Sequence, residues 1–380
     1  MKISDSCTGC GLCKFVCKRN AIVIGVNELG ETVSTVDENL CVHCGMCKKV
    51  CPEITPVKTN KPKECYAAWN NNDKDYKTTT SGGMATLFAR KIIEDGGIVY
   101  GACMQNDGVV QHIRIEDNEE LEKIKGSKYT FSSIVDCYSL IKKDIENEKK
   151  VLFIGTPCQV AAMKKMFSTS DLFYAIDLIC HGTPPASYFQ EYLSMINIEP
   201  ADDLKVCFRN KRYWLTIHNK GNIVYLKRYN KDPYFFAFMN NLIFRENCYK
   251  CQYSCKERCG DITLGDFWGL NRDSSVMPEF VSCVFLNTLD GERMFNSVKD
   301  KCSYTVREVD EAINGNDNLK HASYRPKEKD TFNKYYIKSG FRVAIKHSSI
   351  YAKIQIENIK DFLLYPYRVF KYGKDYKKLL

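Results

Sequence analysis

Apolar positions organise the chain most clearly beyond residue 64. Met84, Leu87, Phe88 and Ile92 recur at helical spacing from Met84 to Glu94. The turn Ser81-Gly82-Gly83 precedes them and Asp95-Gly96-Gly97 follows, so the pattern predicts a capped amphipathic helix. Ile98 to Ala102 then reads as a strand and about Phe131 to Glu146 as a second helix. Val151-Leu152-Phe153-Ile154-Gly155 is a fully apolar strand of the kind buried in a sheet. A helix begins near Val160, and Leu172 to Ile179 repeats the strand pattern. The two strands run out at Thr156-Pro157-Cys158-Gln159 and at Cys180-His181-Gly182, and open α/β sheets place their ligands at strand ends of this kind. Further on, Tyr213 to Leu226 predicts a hairpin turning at Asn219-Lys220-Gly221-Asn222, and Tyr234 to Phe244 an amphipathic helix. From about Asn314 the chain is polar and tyrosine-rich.

Ahead of residue 64 the apolar runs are short. Ala21 to Ile24 and Thr32 to Val36 read as two strands around Asn27-Glu28-Leu29-Gly30. Cysteine dominates instead. Twenty cysteines among 380 residues need a reason, and in a chain without a secretory signal that reason is metal more often than disulfide. Cys7, Cys10, Cys13 and Cys17 stand as C-x2-C-x2-C-x3-C. Cys41, Cys44, Cys47 and Cys51 repeat that spacing, followed by Pro52. Three thiolates spaced this way can wrap three corners of a [4Fe-4S] cube, and Gly9, Gly11 and Gly45 permit the coiling this needs. In two-cluster ferredoxins the fourth cysteine, expected at the start of a short helix, ligates the other cube. This predicts Cys7, Cys10, Cys13 and Cys51 on one cluster, and Cys41, Cys44, Cys47 and Cys17 on the other. A zinc ribbon, the competing reading, shows two C-x2-C pairs rather than two complete four-cysteine runs. A third group, Cys248, Cys251, Cys255 and Cys259, leads into Gly260-Asp261-Ile262.

Hydrophobic residues at 44% and charged residues at 27% describe a chain that folds. No apolar run approaches a spanning helix, and the first residues lack the core of a signal peptide, so a soluble cytoplasmic protein is expected. The net charge of +9 lies mostly at the end, where residues 341–380 hold nine Lys or Arg against three Asp or Glu. A general nucleic-acid surface is therefore not expected. The tail mixes Phe362, Leu363, Leu364, Tyr365, Tyr367, Val369 and Phe370 with Arg368, Lys371, Lys374, Lys377 and Lys378. Such text can lie on the inner face of an anionic membrane, dock an acidic partner, or pack on the protein's own surface.

Taken in order, Ser81-Gly82-Gly83, Gly126-Ser127-Lys128-Tyr129-Thr130-Phe131-Ser132, Gly155-Thr156-Pro157-Cys158-Gln159, Leu178-Ile179-Cys180-His181-Gly182, and Cys248-x2-Cys251 with Gly260-Asp261-Ile262 resemble a known family. It is the family of beta subunits of coenzyme F420 hydrogenases and dehydrogenases, which also includes a plant chlorophyll-derivative reductase. The resemblance spans roughly residues 65 to 310. It implies a flavin-binding α/β fold carrying FAD and its own [4Fe-4S] cluster, here behind a bacterial-ferredoxin-like α+β domain. The family pattern places the third cluster on Cys158, Cys180, Cys248 and Cys251, whereas local spacing would choose the run ending in Cys255 and Cys259. For FAD, Ser81-Gly82-Gly83 at a helix start offers N–H groups and a positive dipole end to a pyrophosphate, and Lys128 adds a charge. With the resemblance, Ser127, Tyr129 and Ser132 join them as candidates.

The expected organisation is a dicluster domain over 1–56, a linker over 57–64, the two regions of the beta-subunit fold over 65–147 and 148–313, and a basic tail over 314–380. The expected function is an iron–sulfur flavoenzyme of anaerobic metabolism. Its electrons would come from ferredoxin or another redox protein, and its small-molecule substrate is not legible. The alternative is an electron-transfer subunit of a larger reductase or hydrogenase. No catalytic residue is indicated: Cys158 with His181 could form a thiol and base, but a cofactor would carry the chemistry. His43 reads as a solvated loop residue. Cys65, Cys103, Cys137, Cys207, Cys283 and Cys302 read as packed thiols, and Asp266 and Trp268 as turn residues near the third site.

Overall fold

A computed structural model describes residues 3–210, 213–272 and 277–364, with the backbone of the last helix continuing to Tyr372. Each N-terminal cysteine run coils through glycines with positive φ, Gly9 and Gly11 in the first and Gly45 in the second. Short helices follow, Leu12–Val16 and Met46–Val50. Gly11 and Gly45 are their N-caps, in left-handed backbone, so each helix starts right after the second cysteine. Cys17 and Cys51 are consequently C-cap residues: the fourth cysteine ends its helix, where the spacing suggested it would begin one. Between the runs, β1 (Ile22–Val26) and β2 (Thr32–Val36) pair antiparallel, Ile22 opposite Val36. Asn27 closes their turn by accepting from the N–H groups of Leu29 and Glu31.

The remainder is a mixed α/β body. Its large sheet takes β3 (Glu64–Asn70), β4 (Ile98–Met104), β5 (Val110–Ile115), β6 (Ser132–Ser133), β7 (Val151–Gly155) and β8 (Phe173–Leu178). The chain then leaves for an antiparallel three-stranded sheet of β9 (Lys205–Asn210), β10 (Trp214–Asn219) and β11 (Asn222–Arg228). It returns to add β12 (Ile262–Asp266), β13 (Ser282–Leu286) and β14 (Cys302–Arg307). The order is β14-β3-β13-β12-β8-β7-β4-β5-β6, and β12, β8, β7 and β4 at its centre run parallel. Parallel strands need both faces covered. Helix Met84–Glu94 buries Leu87, Phe88 and Ile92 with Phe295 on one face. Helices Cys137–Glu146 and Pro157–Phe167 bury Tyr138, Val160 and Phe167 on the other, and Leu12 of the dicluster domain enters that same core.

Two departures from the sequence pattern bear on the site. The second helix begins only at Cys137, because Ser132 and Ser133 are drawn onto the sheet edge beside β5. The Tyr- and Lys-rich stretch after Asn314 contains a helical segment, Lys329–Lys346, broken at Gly340 by a non-helical backbone with φ 76°, and a long helix, Ser349–Tyr372. Phe332, Phe341, Ile345, Ile350 and Ile354 from these helices fill the core over the three-stranded sheet. Beyond that core, Ile356, Ile359, Phe362 and Leu363 are exposed, while the basic and aromatic side chains from Tyr365 onward lie outside the described residues. No helix among the described residues is long and apolar enough to cross a membrane.

Candidate functional site

Three sets of thiols are brought together. Cys7, Cys10, Cys13 and Cys51 line one small cavity with Ile3, Leu12 and Ser34. Burial, with the neighbouring thiols adding to it, pushes Cys10 up to about 11 and Cys13 up to about 12. Cys17, Cys41 and Cys47 pack against an apolar nucleus of Ile3, Cys13, Ile22 and Val36, which the first set shares through Cys13, and burial followed by Cys41 and Cys44 raises Cys47. The two sets differ in access, since Cys44 is exposed whereas Cys13 is buried.

The third set is assembled from distant segments. Cys158 follows β7 inside the first turn of helix Pro157–Phe167, which the motif residues build locally. Pro157 stands at its first position, and Gln159 returns its side-chain oxygen to the N–H of Thr156 at 3.0 Å. Cys180 follows the adjacent parallel strand β8. Cys248 and Cys251 come from the loop after helix Pro233–Met239. All four line one cavity. Burial comes first in raising each thiol; neighbouring thiols of the set then lift Cys158 well above its ordinary value, Cys180 to about 12 and Cys251 to about 11. Four desolvated thiols thus line one cavity, a donor set of the soft kind that suits a metal centre. Cys255 and Cys259 are not part of this group. The Cys259 thiol donates to the Pro157 carbonyl at 3.2 Å, and the Cys255 thiol to the Glu257 carbonyl at 3.3 Å.

One ion pair pins the cysteine loop to the sheet. Asp177 of β8, fully buried, accepts from Arg258 Nη2 at 3.1 Å and from the N–H groups of Cys259 and Gly260. Arg258, 1% exposed, also donates to the carbonyls of Tyr253, Cys255 and Leu178. Asp261 of the Gly-Asp-Ile motif accepts from Lys164 and from the Ala175 N–H, fastening the loop's exit.

The cavity has a volume of about 660 Å³. The third thiol set occupies part of its wall, and the start of helix Met84–Glu94 another. That helix has the left-handed Gly83 as N-cap and no side-chain cap, and Thr79, Thr80 and Ser81 lie around it. Ser127, Lys128, Tyr129 and Ser132 also line the cavity, and the Ser127 N–H donates to Thr80 Oγ1 at 3.0 Å. Gly82 does something different from what the sequence suggested. A Cβ there would stand 2.4 Å from the Ala68 carbonyl and 2.7 Å from the Ser282 nitrogen, so Gly82 seats the helix start against β3 and β13. Lys128 donates to the Lys125 carbonyl at 2.7 Å, and burial lowers its ammonium to about 8. Ser132 bonds Nδ1 of His112, whose Nε2 lies 2.9 Å from the Ile154 carbonyl. A carbonyl only accepts, so His112 carries its proton on Nε2. Burial holds that imidazole down at about 4, hence neutral, and Ser132 donates to it. Asp266 and Trp268 line the cavity as well, with Asp266 paired to Arg209. Elsewhere, His43 is exposed beside Glu38 at 3.9 Å, Cys65, Cys103, Cys137, Cys283 and Cys302 are buried thiols, and Cys207, expected to be packed, is only half-buried. Sequence reasoning missed Thr79, Thr80, His112, Arg209 and Arg245. Only the hydroxyl run Thr78 to Ser81 left a visible signal.

Thiol sets and fold together define an iron–sulfur protein. A profile described as "4Fe-4S dicluster domain" matches residues 6–54. Two further profiles, "Coenzyme F420 hydrogenase/dehydrogenase, beta subunit N-term" and its "C terminus" counterpart, match residues 65–138 and 148–312. The chain belongs to this family of oxidoreductase subunits, with a dicluster domain at its N-terminal side. It is similar to "Coenzyme F420 hydrogenase subunit beta" of Methanococcus voltae, at 25% identity over 67% of this chain and 93% of that protein. It is also similar to "Coenzyme F420-dependent sulfite reductase" of Methanocaldococcus jannaschii, at 26% identity over 81% of this chain, and spans 48% of that relative's length. Among solved structures, a chain of the F420-reducing [NiFe] hydrogenase complex from Methanosarcina barkeri aligns with TM-score 0.45 and 16% identity, over 76% of this chain and 91% of that one.

Proposed function

We propose that the chain is an iron–sulfur flavoprotein oxidoreductase coupling ferredoxin-level electrons to a two-electron exchange with a small molecule. The observation that carries this reading is that the third thiol set and an uncapped helix start open onto one cavity. In this reading Cys7, Cys10, Cys13 and Cys51 hold one [4Fe-4S] cube, Cys41, Cys44, Cys47 and Cys17 a second, and Cys158, Cys180, Cys248 and Cys251 a third. The residues fit these groups. Each set offers four soft thiolates, and 660 Å³ lies in the range of cofactor sites. The N–H groups at the start of helix Met84–Glu94, with Thr79, Thr80 and Ser81, suit the pyrophosphate of FAD. Ser127, Tyr129 and Ser132 contribute hydroxyls, and Lys128 a cation at the margin. When bound, the clusters supply one-electron steps, and the flavin collects two electrons and exchanges hydride.

The protein's own task is to hold these groups close and dry. An external redox protein, ferredoxin among them, would meet the exposed rim around Cys44, where Leu40, Val42 and Met46 are also exposed. For the cavity side, the names of two relatives suggest a deazaflavin such as coenzyme F420. A second reading, an electron-transfer subunit, is favoured by one observation: the chain spans only 48% of the sulfite reductase it resembles. Anaerobically purified protein should contain about twelve iron atoms, four per cube, and one FAD. Flavin absent from such protein would remove the first reading. Isolated chain that holds flavin yet turns over no deazaflavin with any one-electron acceptor would favour the second.

A further inference from the structure

Arg245 carries a charge that no carboxylate among the described residues pairs with. It is 2% exposed and sits three residues ahead of Cys248. Its backbone is fixed between two parts of the third thiol site, its N–H donating to the Thr183 carbonyl at 3.1 Å and its carbonyl accepting from the Cys248 N–H at 3.0 Å. Its side chain crosses to the dicluster domain. Nη1 donates to the Thr8 carbonyl at 2.8 Å, and Nη2 to the carbonyls of Cys7 at 3.2 Å and Thr32 at 2.8 Å. Nε has no partner, and the guanidinium lies 4.5 Å from the centre of the Phe131 ring.

Among the described residues no carboxylate pairs with it. The two nearest in sequence to these contacts are engaged elsewhere. Glu31 accepts from Asn27 and from the Glu246 N–H, and Glu246 pairs with Arg325. Carbonyl dipoles and one aromatic face compensate a buried guanidinium only in part, and an unpaired buried charge costs several kcal/mol. A fold that keeps such a cation needs a counter-charge. Four-thiolate cubes are anions that gain a further negative charge on reduction, and net charge and hydrogen bonding near the sulfurs set their potentials.

We propose that Arg245 is the shared counter-charge of the first and third thiol sites, holding both clusters at a higher potential than their thiolates alone would give. It is a positioning and tuning residue. Its guanidinium touches the carbonyl of one ligand, Cys7, and Arg245 lines the cavity beside the third set, so its charge favours the reduced state on both sides of the domain boundary. The second site, with Cys44 exposed, lies outside its contacts. This inference rests on the ligand sets proposed above.

The test is an anaerobic redox titration followed by electron paramagnetic resonance, with iron counted for each protein. Arg245→Met should lower the midpoints of two of the three clusters. The expected size is about tenfold in the reduced-to-oxidised ratio at fixed potential, which is about 59 mV for a one-electron couple. Arg245→Lys, which keeps the charge, should remain near wild type. Unchanged midpoints in a fully loaded Arg245→Met protein would overturn the proposal. If the Met variant loses iron, Arg245→Gln and Arg245→Lys decide. Loss in Gln with retention in Lys supports the charge, and loss in both overturns it in favour of fork geometry. Wild-type protein with only about eight iron atoms would instead remove the third ligand set itself.

Discussion

Asp177→Asn probes the joint that carries the third thiol site. In the native chain one carboxylate collects Arg258 through Nε and Nη2 and the N–H groups of Cys259 and Gly260. Asparagine has the same shape but one acceptor oxygen fewer, and its amide would face donors. Either the guanidinium or the two loop amides must lose their partner. Breaking a buried pair costs about 3–5 kcal/mol, and a stranded amide about 1–3 kcal/mol. These losses overlap, so about 4 kcal/mol is expected, a large share of a total stability of roughly 5–15 kcal/mol. At about 2–4 °C per kcal/mol for a body of this size, the melting temperature should fall by about 8–16 °C. The assay is anaerobic thermal unfolding followed by circular dichroism, with iron per chain measured on the same preparation. Iron should fall toward about eight atoms, because residues 251–260 lose the tether that aligns them with β8. Glu94→Gln is the control. It breaks a surface pair with Lys301 at 3.0 Å, and exposed pairs are worth about 0–1 kcal/mol. An Asp177→Asn protein that melts within about 2 °C of wild type and keeps full iron would refute the reasoning.

Three further outcomes follow from the same geometry. Cys158→Ala should lower iron by about four atoms while Cys255→Ala leaves it unchanged; the reverse pattern would give the third site to the late run. Cys248→Ala should keep flavin and the dicluster iron yet slow ferredoxin-driven flavin reduction in stopped-flow traces, with dithionite still able to reduce the flavin. Wild-type rates in that variant would falsify the wiring. Lys329, whose ammonium donates to the Phe244 carbonyl at 2.9 Å, is lowered by burial from its ordinary 10.5 to about 8. The unfolded chain therefore holds the extra proton between about pH 8 and 10.5, and this group makes stability rise with pH across that window. Lys329→Met should lose that rise, by up to ~3 kcal/mol, and parallel urea midpoints for variant and wild type from pH 7 to 10 would exclude the effect.

Much of the site was legible because it is written in local spacing. The two four-cysteine runs, the helix Met84–Glu94, and the strands ending before Cys158 and Cys180 follow from patterns within a few residues. The third set was legible only through resemblance, since Cys158 and Cys248 are 90 positions apart; the parallel pairing of β7 and β8 brings together Cys158 and Cys180, and the Cys248 segment joins them through the Arg245 N–H on the Thr183 carbonyl. The strands β3, β12, β13 and β14, joined to one another by antiparallel pairings, left little trace. Their register is decided by partners far along the chain, as when Cys283 faces Ala67. Arg245 and Arg258 looked like ordinary basic residues; nothing in their neighbours announces burial. The polar appearance of residues 314–360 concealed packed helical segments, because Tyr336 and Lys329 bury their apolar stems while their polar tips find partners.

Beside the apolar contact of Leu12 and the Glu31 carboxylate on the Glu246 N–H, the hydrogen bonds across the seam between the dicluster domain and the body go to main-chain oxygens. Arg245 takes those of Cys7, Thr8 and Thr32, Tyr138 that of Cys10, Tyr253 and Gln252 that of Pro52, and Lys165 that of Thr55. A carbonyl is present whatever the residue, so the two sides carry unequal mutational burdens. Side chains at Thr8, Thr32 or Thr55 can drift over generations while the docking bonds persist, whereas each donor on the body must stay a donor that reaches the seam. The module can in this way be exchanged for a homologous dicluster unit of the same backbone path, and lineages should differ more in its sequence than in the arginine, tyrosines and lysine that grip it.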